Sequence, residues 1–148
     1  MVMQNGVDNS KYLCKFYFFD VGIYRTIRPT GPLDSLEKAE GISYESLFFQ
    51  ELNAINDYYK LGYKIYYWRT SNNLEVDFVL YGNRGLKAFE IKRKAKIRSA
   101  ELYSLKAFMQ DYPATKAYCI YGGDRQMSEG NISIISLEYA LKNLPDIL

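Results

Sequence analysis

The stretch from residue 66 to residue 94 constrains the fold more than any other. Tyr66-Tyr67-Trp68-Arg69-Thr70 is followed by Glu75-Val76-Asp77-Phe78-Val79-Leu80-Tyr81, then Gly82-Asn83-Arg84-Gly85, then residues 86–92. Aromatic and β-branched runs bounded by turn residues read as three strands. Two glycines around Asn83-Arg84 make the last two strands a hairpin. Side chains alternate faces along a strand. Glu75, Asp77 and Val79 are therefore expected on one face, with Phe78 and Leu80 on the other. On the next strand Leu86, Ala88, Glu90 and Lys92 share a face, opposed by Phe89 and Ile91. Setting Gly82 opposite Gly85 puts Asp77 opposite Glu90, and Glu75 opposite Lys92.

Two carboxylates directly across a ladder repel by roughly 0.2–1 kcal/mol. A divalent cation between them turns that repulsion into ligation. Mg²⁺ takes one or two carboxylates, keeps several waters and completes its octahedron on a phosphate. Lys92, one pleat from Glu90, is placed to hold or deprotonate a water. The competing reading is a solvated strand face with a Glu75–Lys92 ion pair, worth little.

Asp77, followed on the next strand by Glu90-Ile91-Lys92, resembles the D…ExK signature of the PD-(D/E)xK nuclease superfamily. The likeness extends to Phe16-Tyr17-Phe18-Phe19-Asp20-Val21-Gly22, residues 41–52, Trp68-Arg69-Thr70 and Glu75-Val76-Asp77-Phe78. Over most of residues 15–121 the chain resembles the domain of unknown function that follows the ATPase module in many prokaryotic AAA+ family proteins. The resemblance implies a restriction-endonuclease-like α/β fold, a central mixed sheet flanked by helices. It implies a DNA endonuclease dependent on Mg²⁺ or Mn²⁺, or a relative without activity that binds nucleic acid or docks onto the ATPase module. Asp77 and Glu90 would ligate the ion, with the Ile91 carbonyl adding an oxygen. Glu45, on the first long helix, would complete the site, and Lys92 would orient the water. Glu45 also reads as a helix-start acid favoured by the macrodipole. Glu75 is either a further ligand or the partner of Arg69 or Lys92. The partners implied are DNA and an AAA+ ATPase module in the same or another chain, with a homodimer as a further option.

A phosphate backbone would be met by Arg69 and by the basic run Arg93, Lys94, Lys96 and Arg98, with Arg84 and Lys87 nearby. A solvated loop is the competing reading of that run. The net charge of +2 argues neither way. No pattern for base readout is present, so any DNA preference would be structural.

Several chemistries are excluded. There is no histidine, which removes His-based zinc sites, His general bases and Ser-His triads. Cys14 and Cys119 form no CxxC pair and read as small buried residues. The phosphate loop G-x-x-x-x-G-K-[ST] is absent, so any ATPase module lies outside this sequence. No apolar run reaches about 18 residues and no leader pattern appears, so a cytoplasmic protein without a membrane partner is expected. The 15 tyrosines suit sheet coverings and interfaces.

A chain of 148 residues is most simply one domain. Residues 1–32 read as an N-terminal extension or linker remnant, and residues 33–148 as the nuclease-like domain. Residues 1–10 lack a period. A strand is expected at 14–19, a short helix at 21–27 and a loop at 29–32. Weak helix follows at 33–40, and then a helix from 44 to 61, capped by Ser43 and ended by Gly62. Its stripe is Tyr44, Phe48, Leu52, Ile55 and Tyr59. Ser99 should cap a helix to Asp111, with Leu102, Leu105 and Phe108 inward. Strands are expected at 115–121 and 132–135, and a last helix from Ser136 to Asn143.

Overall fold

The computed structural model describes residues 2–3, 26 and 36–148. Helix α1 spans Leu36–Tyr58, and strands β2, Lys64–Arg69, β3, Glu75–Gly82, and β4, Gly85–Lys92, follow. A 3-10 turn, Ser99–Leu102, leads into α2, Tyr103–Asp111. Strands β5, Lys116–Tyr121, β6, Met127–Glu129, and β7, Ile132–Ser136, precede α3, Leu137–Lys142, and α4, Leu144–Ile147. A two-residue β1, Val2–Met3, pairs parallel with β2 at the sheet edge. The expected elements at 14–19 and 21–27 lie outside the described residues, apart from helical Thr26.

Strand order is β1-β2-β3-β4-β5-β7-β6. The meander β2-β3-β4 is antiparallel, β4, β5 and β7 run parallel, and β6 closes antiparallel on β7. The fold is thus α/β, with a mixed sheet and helices on both faces. One face buries Phe48 and Leu52 of α1, with Ala140 and Leu144, against Phe78, Leu80, Phe89 and Ile91. The other buries Leu102, Leu105 and Phe108 against Trp68, Val76, Val79 and Ala88. No helix among the described residues is long and apolar enough to cross a membrane.

Aromatic contacts fix α1 to the sheet. Phe48 lies 6.0 Å from Phe78 and 5.4 Å from Phe89, and Phe49 stacks on Phe78 at 5.7 Å. Such pairs add to plain area burial. α1 is one helix where the sequence suggests a break. Ser43 is buried within it instead of capping its start, and the helix runs through Gly41 despite the roughly 0.5–1 kcal/mol that glycine costs in a helix interior. The helix also ends earlier than Gly62. Lys60 takes a left-handed φ of 50°, Leu61 N–H bonds to the Asn56 carbonyl at 2.9 Å, and Lys60 N–H bonds to Asp57 at 3.2 Å. This is a Schellman end, and it leaves Tyr59 outside the helix and exposed.

Other boundaries shift for local reasons. Ser99 lies inside the 3-10 turn, where Glu101 accepts the Arg98 N–H at 2.9 Å, while Ser99 itself donates to Glu129 at 2.8 Å. Pro145 opens α4, since a missing N–H costs nothing in a first helical turn. Ser136 accepts the Tyr139 N–H at 3.1 Å and caps α3. Lys87 is buried, and its ammonium donates to the Ile147 carbonyl at 2.6 Å. Burial, then Lys116 and Arg84, lower its pKa. Lys87 therefore docks the C-terminal helix and is no part of a basic stripe. Arg84 belongs to the turn end of the hairpin, a whole strand away from Lys92.

Candidate functional site

The site lies where the sheet forks. The β3–β4 ladder runs from Gly82 opposite Gly85 to Phe78 opposite Phe89 and stops there. Beyond that pair β3 stays on β2 through Val76 and Glu75, and β4 stays on β5 as far as Lys92 opposite Tyr121. Asp77 and Glu90 occupy the first position past the ladder. Asp77 Oδ2 instead accepts the Ile91 N–H at 2.8 Å, so a side chain replaces the main-chain pairing.

A bulge produces this arrangement. Tyr66 pairs with Val79 but Trp68 pairs with Val76, so three steps on β3 face two on β2. An inserted residue bends its strand and re-aims side chains. Val76 consequently joins Val79 in the cluster around Trp68, while Phe78 turns to α1. Strict alternation along β3, with Glu75, Asp77 and Val79 on one face, does not hold.

An open pocket of about 290 Å³ sits at the fork, lined by Glu45, Asn73, Glu75, Asp77, Glu90, Ile91, Lys92 and Ser104. Glu45 arrives from α1, one helical turn before Phe48 and Phe49, and so is positioned by their packing on Phe78. Asp77 is 7% exposed and Glu90 3%. A solvated strand face is therefore the wrong description of this pair. Lys92 Nζ contacts Glu90 Oε1 at 2.6 Å, so the lysine pairs along its own strand. Glu90 Oε2 is buried with no hydrogen-bond partner.

Burial pushes the Glu90 carboxyl up to about 7, against the opposing pull of Lys92, with Asp77 and Glu75 adding to the rise. For Lys92 burial is the largest single influence and acts downward. The Glu90 and Asp77 carboxylates together outweigh it and leave the ammonium raised above its ordinary value. Cys119, beside Glu90 on β5, is driven by burial to about 12 and is an inert core thiol. Cys14 lies outside the described residues.

The donor set consists of carboxylates, with no imidazole in the chain and the neighbouring thiol held protonated. That chemistry suits a hard cation, and the orphaned Glu90 oxygen is an acceptor for one. Among the described residues no group of three His, Cys, Asp or Glu side chains is gathered closely enough to hold an ion unaided. Mg²⁺ needs only one or two carboxylates, so the residues present fit it.

The basic residues after β4 do not line the pocket, although they follow directly on Lys92, which does. Arg93, Lys94, Lys96 and Arg98 are exposed on the segment after β4. Lys94 forms an ion pair with Glu101. The segment's backbone is fastened to a diglycine: Gly122 N–H donates to the Lys94 carbonyl at 3.0 Å. A Cβ on Gly122 would lie 2.1 Å from the Arg93 oxygen, and one on Gly123 2.8 Å from the Ala95 oxygen. Arg69 meets the pocket through its lip, donating from Nη2 to Asn73 Oδ1 at 2.7 Å. Sequence reasoning misses Asn73 and Ser104. The turn run Ser71-Asn72-Asn73 is a signal for the first; Ser104 comes from α2 across a crossover and leaves none.

Residues 40–140 match a family model described as Domain of unknown function (DUF4143). No curated protein and no solved structure matches the chain.

Proposed function

The chain belongs to the domain-of-unknown-function family DUF4143, and we propose that its fork pocket is a PD-(D/E)xK-type site for metal-dependent cleavage of DNA. The observation that carries this reading is Glu90, a carboxylate that lines an acidic pocket with one oxygen on Lys92 and the other buried and unpartnered. On this reading the fold is a restriction-endonuclease-like core, working with an AAA+ ATPase module in the same or another chain.

Asp77 and Glu90 would hold Mg²⁺ or Mn²⁺, with Glu45 and the Ile91 carbonyl contributing from the pocket wall. The ion, when bound, polarises a phosphoryl oxygen and lowers the pKa of its water. Asp77 also fixes the Ile91 peptide through its N–H, which sets the positions of Glu90 and Lys92 on either side. Lys92, kept protonated by its carboxylate neighbours, stabilises charge developing on the phosphoryl oxygens. Arg93, Lys94, Lys96 and Arg98 would track the DNA backbone beside the pocket.

The test is cleavage of plasmid and single-stranded DNA with Mg²⁺, Mn²⁺ or chelator. Wild type should cut only with metal, and Lys92→Met and Glu90→Gln should not cut. Cutting by Lys92→Met at the wild-type rate refutes the assignment.

A second reading has its own support. Asp77 is engaged by Ile91 N–H, Glu90 by Lys92, and among the described residues no three acidic, His or Cys side chains are gathered closely enough to hold an ion. This favours a module that binds nucleic acid or docks on an ATPase without catalysis. Metal-independent DNA binding with no cleavage in any metal would select it.

A further inference from the structure

The loop between β2 and β3 is built to hold Arg69 at the pocket's lip. Thr70 N–H donates to the Leu74 carbonyl at 2.9 Å and Asn73 N–H to the Thr70 carbonyl at 3.1 Å. Leu74 N–H donates to Thr70 Oγ1 at 3.1 Å. These bonds close the turn tightly. Asn73 within it has φ 61°, a left-handed conformation that asparagine tolerates better than most residues with a side chain. Its side chain lines the pocket, and its amide oxygen accepts from Arg69 Nη2 at 2.7 Å. The turn conformation thus turns an asparagine amide toward both the pocket mouth and the Arg69 guanidinium.

We infer that Asn73 is a positioning residue: it aims the Arg69 guanidinium at a phosphate group of the nucleic acid bound at the fork. The inference rests on the phosphodiester reading of that pocket. Chemically it follows from the guanidinium's planar fork, which matches phosphate only when its plane is fixed. A free arginine on a strand end would sample many rotamers. The exposed bond to Asn73 favours one of these orientations before the ligand arrives. The acids deeper in the pocket cannot meet a phosphate without a cation, so a fixed positive group at the lip supplies the complementary charge.

The experiment measures binding of a labelled DNA oligonucleotide by fluorescence anisotropy, with Ca²⁺ in place of Mg²⁺ to prevent turnover, in a double-mutant cycle. Asn73→Gly accepts the left-handed φ without strain, so it should melt at or above the wild-type temperature while binding about 3- to 10-fold more weakly. Arg69→Ala should weaken binding at least as much. The double variant should be no weaker than Arg69→Ala alone, because Asn73 acts through Arg69. A merely structural Asn73 predicts a lowered melting temperature and additive losses, which would overturn the inference. Equal binding by wild type and Asn73→Gly would overturn it while leaving the pocket reading standing. Absence of any cation-dependent DNA binding by wild type overturns both.

Discussion

Replacing Glu90 by Gln should make the metal-free protein more stable at neutral pH. Burial is the main cause that raises the Glu90 carboxyl from an ordinary 4.5 to about 7. The folded protein therefore binds this proton more tightly than the unfolded chain does. Its contribution is fully present below the unfolded value of about 4.5 and is lost as pH rises through about 7. Each pH unit in that interval is worth about 1.4 kcal/mol, so the whole amounts to about 3 kcal/mol. Glutamine is neutral throughout, and its amide oxygen can keep the contact with Lys92, whose side chain is 32% exposed and can reach water. At about 2–4 °C per kcal/mol for a domain of this size, the variant should melt on the order of 10 °C above wild type at neutral pH. The two should converge near pH 4.5. Thermal melts of both in chelator, from pH 4.5 to 8, read this directly. Parallel curves, or a variant that is less stable at neutral pH, would refute a buried carboxylate held short of partners. Adding Mg²⁺ should then raise wild type by mass action and leave Glu90→Gln nearly unmoved.

Asp77→Asn should melt close to wild type, since an amide oxygen can still accept the Ile91 N–H, whereas Asp77→Ala should lose about 1–3 kcal/mol by orphaning that buried donor; equal melts for the two would remove the latch role of Asp77. Gly122→Ala should be destabilised by about 1–3 kcal/mol, because its Cβ collides with the Arg93 carbonyl, and a wild-type denaturant midpoint would contradict the close approach. Lys94→Glu combined with Lys96→Glu should weaken DNA binding across sequences and flatten its salt dependence; binding indifferent to ionic strength would exclude a backbone mode.

The hairpin was legible because its register follows from two glycines alone: Gly82 opposite Gly85 fixes every later pair as far as Phe78–Phe89. The inward faces of α1 and α2 followed from spacing, with Phe48, Leu52, Leu105 and Phe108 fully buried. The bulge on β3 was not legible. It arises from a mismatch between β2 and β3, and no residue between Val76 and Val79 advertises it. Strand β6 leaves no strand signature, because Met127-Ser128-Glu129 is short and polar and is a strand only through its pairing with β7. The Gly130-Asn131 turn was its one local sign. Continuity of α1 through Gly41 runs against local propensity, which disfavours glycine inside a helix. At the site, Asp77, Glu90 and Lys92 carried a motif, while Asn73 and Ser104 entered only through three-dimensional closure of a loop and a crossover.

The diglycine after β5 has a consequence for how this surface can vary. Residues 93–95 are anchored there by main-chain atoms: the Lys94 carbonyl accepts a bond, and the Arg93 and Ala95 oxygens fill the space a Cβ would need. Anchoring of that kind is indifferent to which side chains the segment bears. The electrical character of the rim can therefore be rewritten, from basic to neutral or acidic, without re-folding the path that carries it. Two glycines on a neighbouring strand end thus separate the shape of this border from its charge, and ligand preference can drift while the adjoining lysine, Lys92, keeps its place.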